Sequence, residues 1–301
     1  MNRAEVVFLG IDWLFHIPQN YINKDGVKCV KDVSYNDNYE ECKVDLYYKE
    51  TTEKMPVVVN IHGGGFVKGD KKHRKSISHL YADRGWFVVN ANYRLAPKYH
   101  VMDIINDLMT LTNYLNTLAE NYNIDLNKVV LTGDSAGAWA ATYLTCLLTN
   151  PELRARLNIE ESNIKPAGLI SFCGIYDLLE AIQHKIPFDL VKVIAESTLD
   201  FKFADDFSNL NDYPYAEEIA PINWLNKDFP RTIITYAEQD WFVKGQGERI
   251  YEKLKELGVD AEECHSEKMF DNHCYHFNFW LDVSKKTMDR VYKMLDEIYV
   301  Q

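Results

Sequence analysis

The chain reads as a doubly wound α/β fold, and three observations lead there. Short runs rich in β-branched and aromatic residues, such as Val57-Val58-Val59-Asn60-Ile61, alternate with longer segments of helical period. The runs are apolar at successive positions, as strands covered on both faces are. The composition, 47% hydrophobic and 26% charged, is that of a chain able to bury a full core. Repeated strand, helix and strand units then imply a mostly parallel sheet with helices on both faces.

Taken in order, Val33-Ser34-Tyr35 and Lys43 to Tyr48 are expected to pair antiparallel at one sheet edge. Met55-Pro56 introduces the first core strand, and Trp86 to Ala91 follows a helix expected around Ser76 to Arg84. Ile104, Ile105, Leu108, Leu111, Leu115 and Leu118 recur at spacings of three and four, which places one apolar stripe on a helix. Lys128 to Thr132 reads as a strand running into Gly133, and Ala136 to Leu148 as the helix after it. Gly168 to Phe172, Thr232 to Tyr236 and a stretch near Ala261 to His265 read as later strands. A helix from Gln246 to Leu257, closed by Gly258, separates the last two. Leu179 to Ala220 breaks the alternation. It carries aromatics, among them Phe188, Phe201, Phe203, Phe207, Tyr213 and Tyr215, but no clear strand, so a helical insertion is expected.

Composition also excludes function classes. The net charge of −12 argues against a nucleic-acid or anionic-membrane binder, since counterion-release binding needs a concentrated basic surface. No run approaches the roughly 18 apolar residues of a membrane span. The N-terminal apolar patch Val6-Val7-Phe8-Leu9 is followed by Asp12 and His16 with no small-residue cleavage site, so no secretory signal is read and a cytoplasmic location is expected. The six cysteines are dispersed without a CxxC pair and read as reduced structural thiols.

Chemistry concentrates in two glycine-bounded turns. Gly133-Asp134-Ser135-Ala136-Gly137 lies between a strand and a helix, a context in which glycines flanking a sharp turn let the helix approach the sheet and expose the serine hydroxyl. An ordinary glycine-bounded turn is the plainer reading. His62-Gly63-Gly64-Gly65 follows the first core strand and can turn backbone N–H groups toward a carbonyl oxygen as it gains charge. A flexible loop or a phosphate cradle is the alternative, and neither phosphate fingerprint, G-x-x-x-x-G-K-[ST] nor G-x-G-x-x-G, is present.

These two motifs and Tyr93-Arg94-Leu95-Ala96-Pro97 together resemble the hormone-sensitive-lipase-like branch of the α/β-hydrolases, which includes many carboxylesterases. The resemblance runs from about Val33 to the C-terminus and is clearest from Val57 to Gly137. It implies an α/β-hydrolase fold with a lid and a Ser-His-Asp triad, without metal or organic cofactor. It also implies that Gly64, Gly65 and Ala136 donate the oxyanion-hole N–H groups, with Gly63 a spacer. Triad members follow in the order serine, acid, histidine in this fold. After Ser135, Asp240 in the turn Ala237-Glu238-Gln239-Asp240 matches the acid position, with Glu238 its competitor. His273 is favoured as base because His273-Cys274-Tyr275 matches the family's His-x-Phe pattern, and His276 competes. The intervals of 105 and 33 residues leave room for a lid before the acid and only a helix and strand after it.

The chain departs from the family at Lys98, where Glu is common, and at Trp241, where Pro is common. Trp241 either reshapes the acid loop or walls the site. Asp134 and Tyr93 to Pro97 are expected to hold turns. The expectation is one catalytic domain, residues 1–301, interrupted by a lid at 179–220. The first thirty residues, with Trp13, Phe15 and Tyr21, either join the cap or pack on the sheet edge. Nine acidic residues against three lysines between Leu179 and Ala220 suggest neutral or cationic ester substrates over anionic ones. A formamidase or other amidase on the same scaffold is the second reading. A non-catalytic small-molecule receptor is the third, and such receptors lose a triad member. The sequence leaves the oligomeric state open.

Overall fold

The computed structural model describes residues 5–10, 19–184, 189–268 and 271–300. Trp13, Phe15 and Phe188 lie outside them. The strands are β1 (Lys28–Ser34), β2 (Lys43–Tyr48), β3 (Met55–Ile61), β4 (Phe87–Ala91), β5 (Ile124–Asp134), β6 (Pro166–Phe172), β7 (Arg231–Ala237) and β8 (Ala261–Ser266). They form one eight-stranded sheet in the order β1-β2-β4-β3-β5-β6-β7-β8. β1 and β2 are antiparallel to their neighbours, and every pairing from β4 onward is parallel. The mostly parallel α/β architecture is therefore the one expected.

The helices are α1 (Lys75–Asp83), α2 (Val101–Asn121), α3 (Ala136–Thr149), α4 (Pro151–Leu157), α5 (Leu178–Ala181), α6 (Leu190–Leu199), α7 (Gln246–Glu256) and α8 (Asp282–Val300). Because strand side chains alternate between faces, the apolar runs divide into two cores. Val57, Val59, Leu131, Leu169 and Ile234 pack with α2, α3 and α7. Val58, Val88, Val130, Ile170 and Ile233 pack with α1 and α8 on the other face.

Two helices, α4 and α8, were not expected from the sequence. α4 is started by Asn150, whose side chain accepts from the Glu152 and Leu153 N–H groups, with Pro151 at its first position. α8 buries Met288, Val291, Met294, Leu295 and Ile298, a three-and-four spacing diluted by charged residues in between. Five such side chains contribute on the order of 10 kcal/mol of apolar burial before the entropy of ordering is set against it. β1 also starts earlier than the Val33 expected. A register shift between Val30 and Val33, with Asp32 at φ 56°, breaks the alternation by which it would have been recognised.

Residues 179–220 contain α6 and a series of turns, with no strand among the described residues. Phe203 and Tyr213 are buried in the larger core, and Phe201 and Phe207 pack against it. Phe201 meets Phe203 and Tyr213 edge-on at 5.0 and 5.6 Å. The Trp139 indole N–H donates to the Ile219 carbonyl at 3.0 Å and fastens the end of this segment to α3. No helix among the described residues is long and apolar enough to cross a membrane.

Candidate active site

Parallel strands deliver their carboxyl ends to one edge of the sheet, and the loops that carry reactive groups gather there. Ile61 of β3 stands beside Gly133 of β5, and Asp134 beside Phe172 of β6. At the turn from β5 into α3, Ser135 adopts φ 54°, ψ −119°, a conformation that a side chain rarely takes. Its N–H donates to the Phe172 carbonyl at 2.8 Å, which holds the turn in place. A methyl group on Gly133 would collide with the Gly137 backbone, and one on Gly137 with the Ile61 carbonyl. Both glycines of the motif are thus required by close approach.

Ser135, His273 and Asp240 meet. His273 Nε2 is 2.8 Å from Ser135 Oγ, and Nδ1 is 2.6 Å from Asp240 Oδ2. A carboxylate only accepts, so Nδ1 carries the hydrogen and Nε2 is left to accept from the serine. Asp240 is buried, and its Oδ1 accepts from the Phe242 and Val243 N–H groups at 2.9 and 3.3 Å. Burial opposes protonation of His273, but the charge and hydrogen bond of Asp240 outweigh it and raise the imidazole to about 9. Trp241 is half exposed and Asp240 keeps its two backbone donors beside it, so the departure from Pro leaves the acid turn closed. Phe242, rather than Trp241, places a ring 5.3 Å from His273.

Glu238 and His276 stand elsewhere. Glu238 is exposed and lies 3.7 Å from His265. His276 is fully buried with its ring stacked on Phe172 at 3.9 Å. The loop holding His273 is anchored through its neighbours. The Tyr275 hydroxyl donates to the Cys264 carbonyl at 3.1 Å and meets Thr287 Oγ1 of α8 at 3.0 Å, and Ser284 Oγ of α8 donates to the His276 carbonyl at 2.6 Å.

The glycine run curls over the serine. Gly63 N–H donates to Asp134 Oδ1 at 3.2 Å and is committed to the fold. The N–H groups of Gly64, Gly65 and Ala136 donate to no described residue. Gly64 at φ 129° and Gly65 at φ 60° sit where side chains are disfavoured. A methyl on Gly65 would come within 2.6 Å of the Phe8 ring and 3.1 Å of Ile194 Cδ1. Phe8, in the helical residues 5–10, and Ile194 of α6 therefore cover this loop from two distant parts of the chain. Phe8 also meets Phe242 edge-on at 6.3 Å. Tyr21 is exposed.

Sequence reasoning gave Asp134 a turn-holding role but missed its partner. Arg74 grips Asp134 through Nε at 2.5 Å and a second nitrogen at 2.6 Å. Burial raises the cost of ionising Asp134, yet the Arg74 charge and hydrogen bonds outweigh it and hold the carboxyl below its usual range. That stabilisation is present above the ordinary carboxyl value and is lost as acid protonates Asp134 below it. Replacing Asp134 by Ala removes the carboxylate that two nitrogens of the buried guanidinium grip, and we expect a loss of about 3–5 kcal/mol in urea unfolding at neutral pH. A loss under 1 kcal/mol would remove this role.

The Tyr93 to Pro97 stretch is structural. The Tyr93 hydroxyl donates to the His62 carbonyl at 2.9 Å while its ring stacks on the His62 imidazole, which burial pushes down to about 4. Arg94 binds Asp107 and Asp103. Lys98, where the family commonly has Glu, pairs instead with Glu41 at 2.8 Å. Gln246, not anticipated, accepts from the Tyr176 and Asp177 N–H groups at 2.9 Å each and ties the start of the 179–220 segment to α7.

Tuliposide A-converting enzyme b1 of Tulipa gesneriana is 27% identical over 262 residues, 81% of this chain and 64% of that protein. An acetyl esterase of Salmonella schwarzengrund is 24% identical over 203 residues, 67% of this chain and 60% of that protein. The chain thus spans about three fifths of the length of these curated relatives. Inhibited esterase B from Lactobacillus rhamnosis superposes with a TM-score of 0.81 at 19% identity, covering 99% of this chain and 98% of that one, which establishes the α/β-hydrolase fold. Residues 44–254 match the BD-FAE family model, well over half of the chain, and the protein belongs to that family.

Proposed function

We propose that the protein is a serine hydrolase that cleaves carboxylic esters of small to medium, neutral substrates. The observation that carries this reading is the continuous hydrogen-bonded path from Asp240 through His273 to Ser135. His273 takes the Ser135 proton as Oγ attacks the ester carbonyl, then passes it to the departing alcohol. Asp240 fixes the tautomer and offsets the imidazolium charge. The Gly64, Gly65 and Ala136 N–H groups receive the oxyanion, each donor contributing about 2.7–4 kcal/mol where such groups have been removed. Water then releases the acyl group by the reverse route. In this reading residues 1–301 act as one catalytic domain, with 179–220 as its lid and Phe8 bringing the first thirty residues into the cap.

An activity panel tests the proposal. Activated acetyl and butyryl aryl esters are expected to turn over, with Ser135 labelled by an organophosphonate. Faster cleavage of N-formyl aryl amines would replace this reading with a formamidase, and an unlabelled, inert protein would replace it with a receptor. Asp200, Asp206 and Asp212 are exposed on the lid, whereas Asp205 is paired with Lys192, and Glu217 and Glu218 with Arg156. Neutral esters are therefore expected to exceed matched carboxylate-bearing esters in kcat/KM by on the order of 10-fold at low salt, narrowing as salt is added. A preference for the anion would count against the lid's charge as a selector.

A further inference from the structure

Beside the triad lies a group of side chains that ester hydrolysis does not use. Cys274 follows His273 in the chain, and Cys173 follows Phe172, whose carbonyl accepts the Ser135 N–H. The two thiol sulfurs and a ring nitrogen of His276 all lie within 4.8 Å of one another. His276 is fully buried, and neither of its ring nitrogens meets a hydrogen-bonding oxygen or nitrogen among the described residues. Its polar contact is with sulfur: Cys173 hydrogen-bonds both the His276 ring and the Cys274 thiol, so the three donor groups already face one another. Cys173 is buried and Cys274 is partly exposed as a residue.

We propose that Cys173, Cys274 and His276 form a binding site for one Zn2+ ion, and that its occupation inhibits the hydrolase. Two thiolates and one imidazole are the donor set that borderline-soft d10 ions select. Zinc bonds of about 2.3 Å to sulfur and about 2.0 Å to nitrogen place tetrahedral ligand atoms roughly 3.5–3.8 Å apart, so the cluster closes by about 1 Å or less. Binding takes both sulfurs as thiolates, so any proton still on them, that of Cys274 above all, goes to solvent; it uses the neutral imidazole and leaves the fourth position to water. Drawing Cys274 inward moves its neighbour His273, whose 2.6 and 2.8 Å contacts tolerate little displacement. A shift of about 1 Å costs on the order of 100-fold in turnover. The binding claim stands alone, while the inhibition rests on the hydrolase reading.

The test is titration of the full chain, kept reduced with a phosphine, with Zn2+ against a chromophoric chelator, and with Co2+ as a spectroscopic probe. One equivalent is expected, with thiolate-to-cobalt charge-transfer absorption. Cys274→Ser and Cys173→Ser are each expected to weaken zinc affinity by on the order of 100-fold or more, while Cys264→Ser, outside the cluster, binds as the wild type. Thermal melting identifies variants that fail to fold. Should Cys173→Ser be one, Cys274→Ser at the partly exposed position decides the matter. Absence of binding, or binding that survives Cys274→Ser, overturns the site. Ser135→Ala should bind zinc as the wild type does. Zinc binding in a protein without esterase activity would therefore sink the hydrolase reading alone, and zinc binding that leaves esterase activity unchanged would sink the inhibition.

Discussion

Replacing Ser135 by Ala is expected to lower kcat/KM for activated short-chain esters by about 10^5–10^6-fold and to abolish organophosphonate labelling. The size follows from the geometry. Ser135 Oγ has His273 Nε2 as its partner, and removing it deletes the nucleophile while the backbone hydrogen bond to Phe172 remains. Alanine keeps the same Cβ at the same strained φ, so the fold loses one part-buried hydrogen bond, about 1 kcal/mol, and melts within a few degrees of the wild type. Residual activity above about one part in a hundred in a cleanly folded variant would exclude Ser135 as nucleophile, since oxyanion donors and binding alone cannot supply it.

Asp240→Asn is expected to cost about 10^4-fold in kcat by a different route. The amide can keep accepting from the Phe242 and Val243 N–H groups through its oxygen, so the turn survives. Its NH2 then faces His273 Nδ1 and donates to it, which moves the ring hydrogen to Nε2 and leaves no base toward the serine. The pH profile carries a second signature. Wild-type kcat/KM rises as His273 loses its proton, with a midpoint displaced above the ordinary imidazole value of about 6.5 by Asp240. In Asp240→Asn burial acts without that charge, and the midpoint of the remaining activity falls. The same pair stabilises the wild-type fold fully below the ordinary imidazole value, and that contribution is lost as pH rises through about 9. An unshifted midpoint would show that Asp240 does not set the state of His273.

Much of this was legible where one physical demand fixes one residue type. Gly133 and Gly137 were readable because backbone approaches there and nothing larger fits. The buried strands were readable because both their faces must be apolar. Which histidine meets Ser135 was harder to read, since His273 and His276 lie three residues apart in one loop. What separates them is Tyr275, whose hydroxyl reaches Thr287, a partner beyond the reach of local pattern. Arg74 carried no local signal either, because its partner Asp134 stands 60 residues away and the pair exists only once β5 meets the start of α1. α8 escaped notice because its apolar positions are spread among charges. Its weight in the second core becomes apparent only with the sheet against it.

The anchoring of the His273 loop on α8 bears on how the protein is made. A ribosome exposes Ser135 long before the loop that holds His273, and Thr287 and Ser284 emerge after His273 itself. Until those residues dock, the histidine has no fixed address. A nascent or prematurely terminated chain would thus carry Ser135 without His273 held beside it. On the reading proposed above, competence would arrive in one step, when α8 docks on the sheet and fixes the His273 loop.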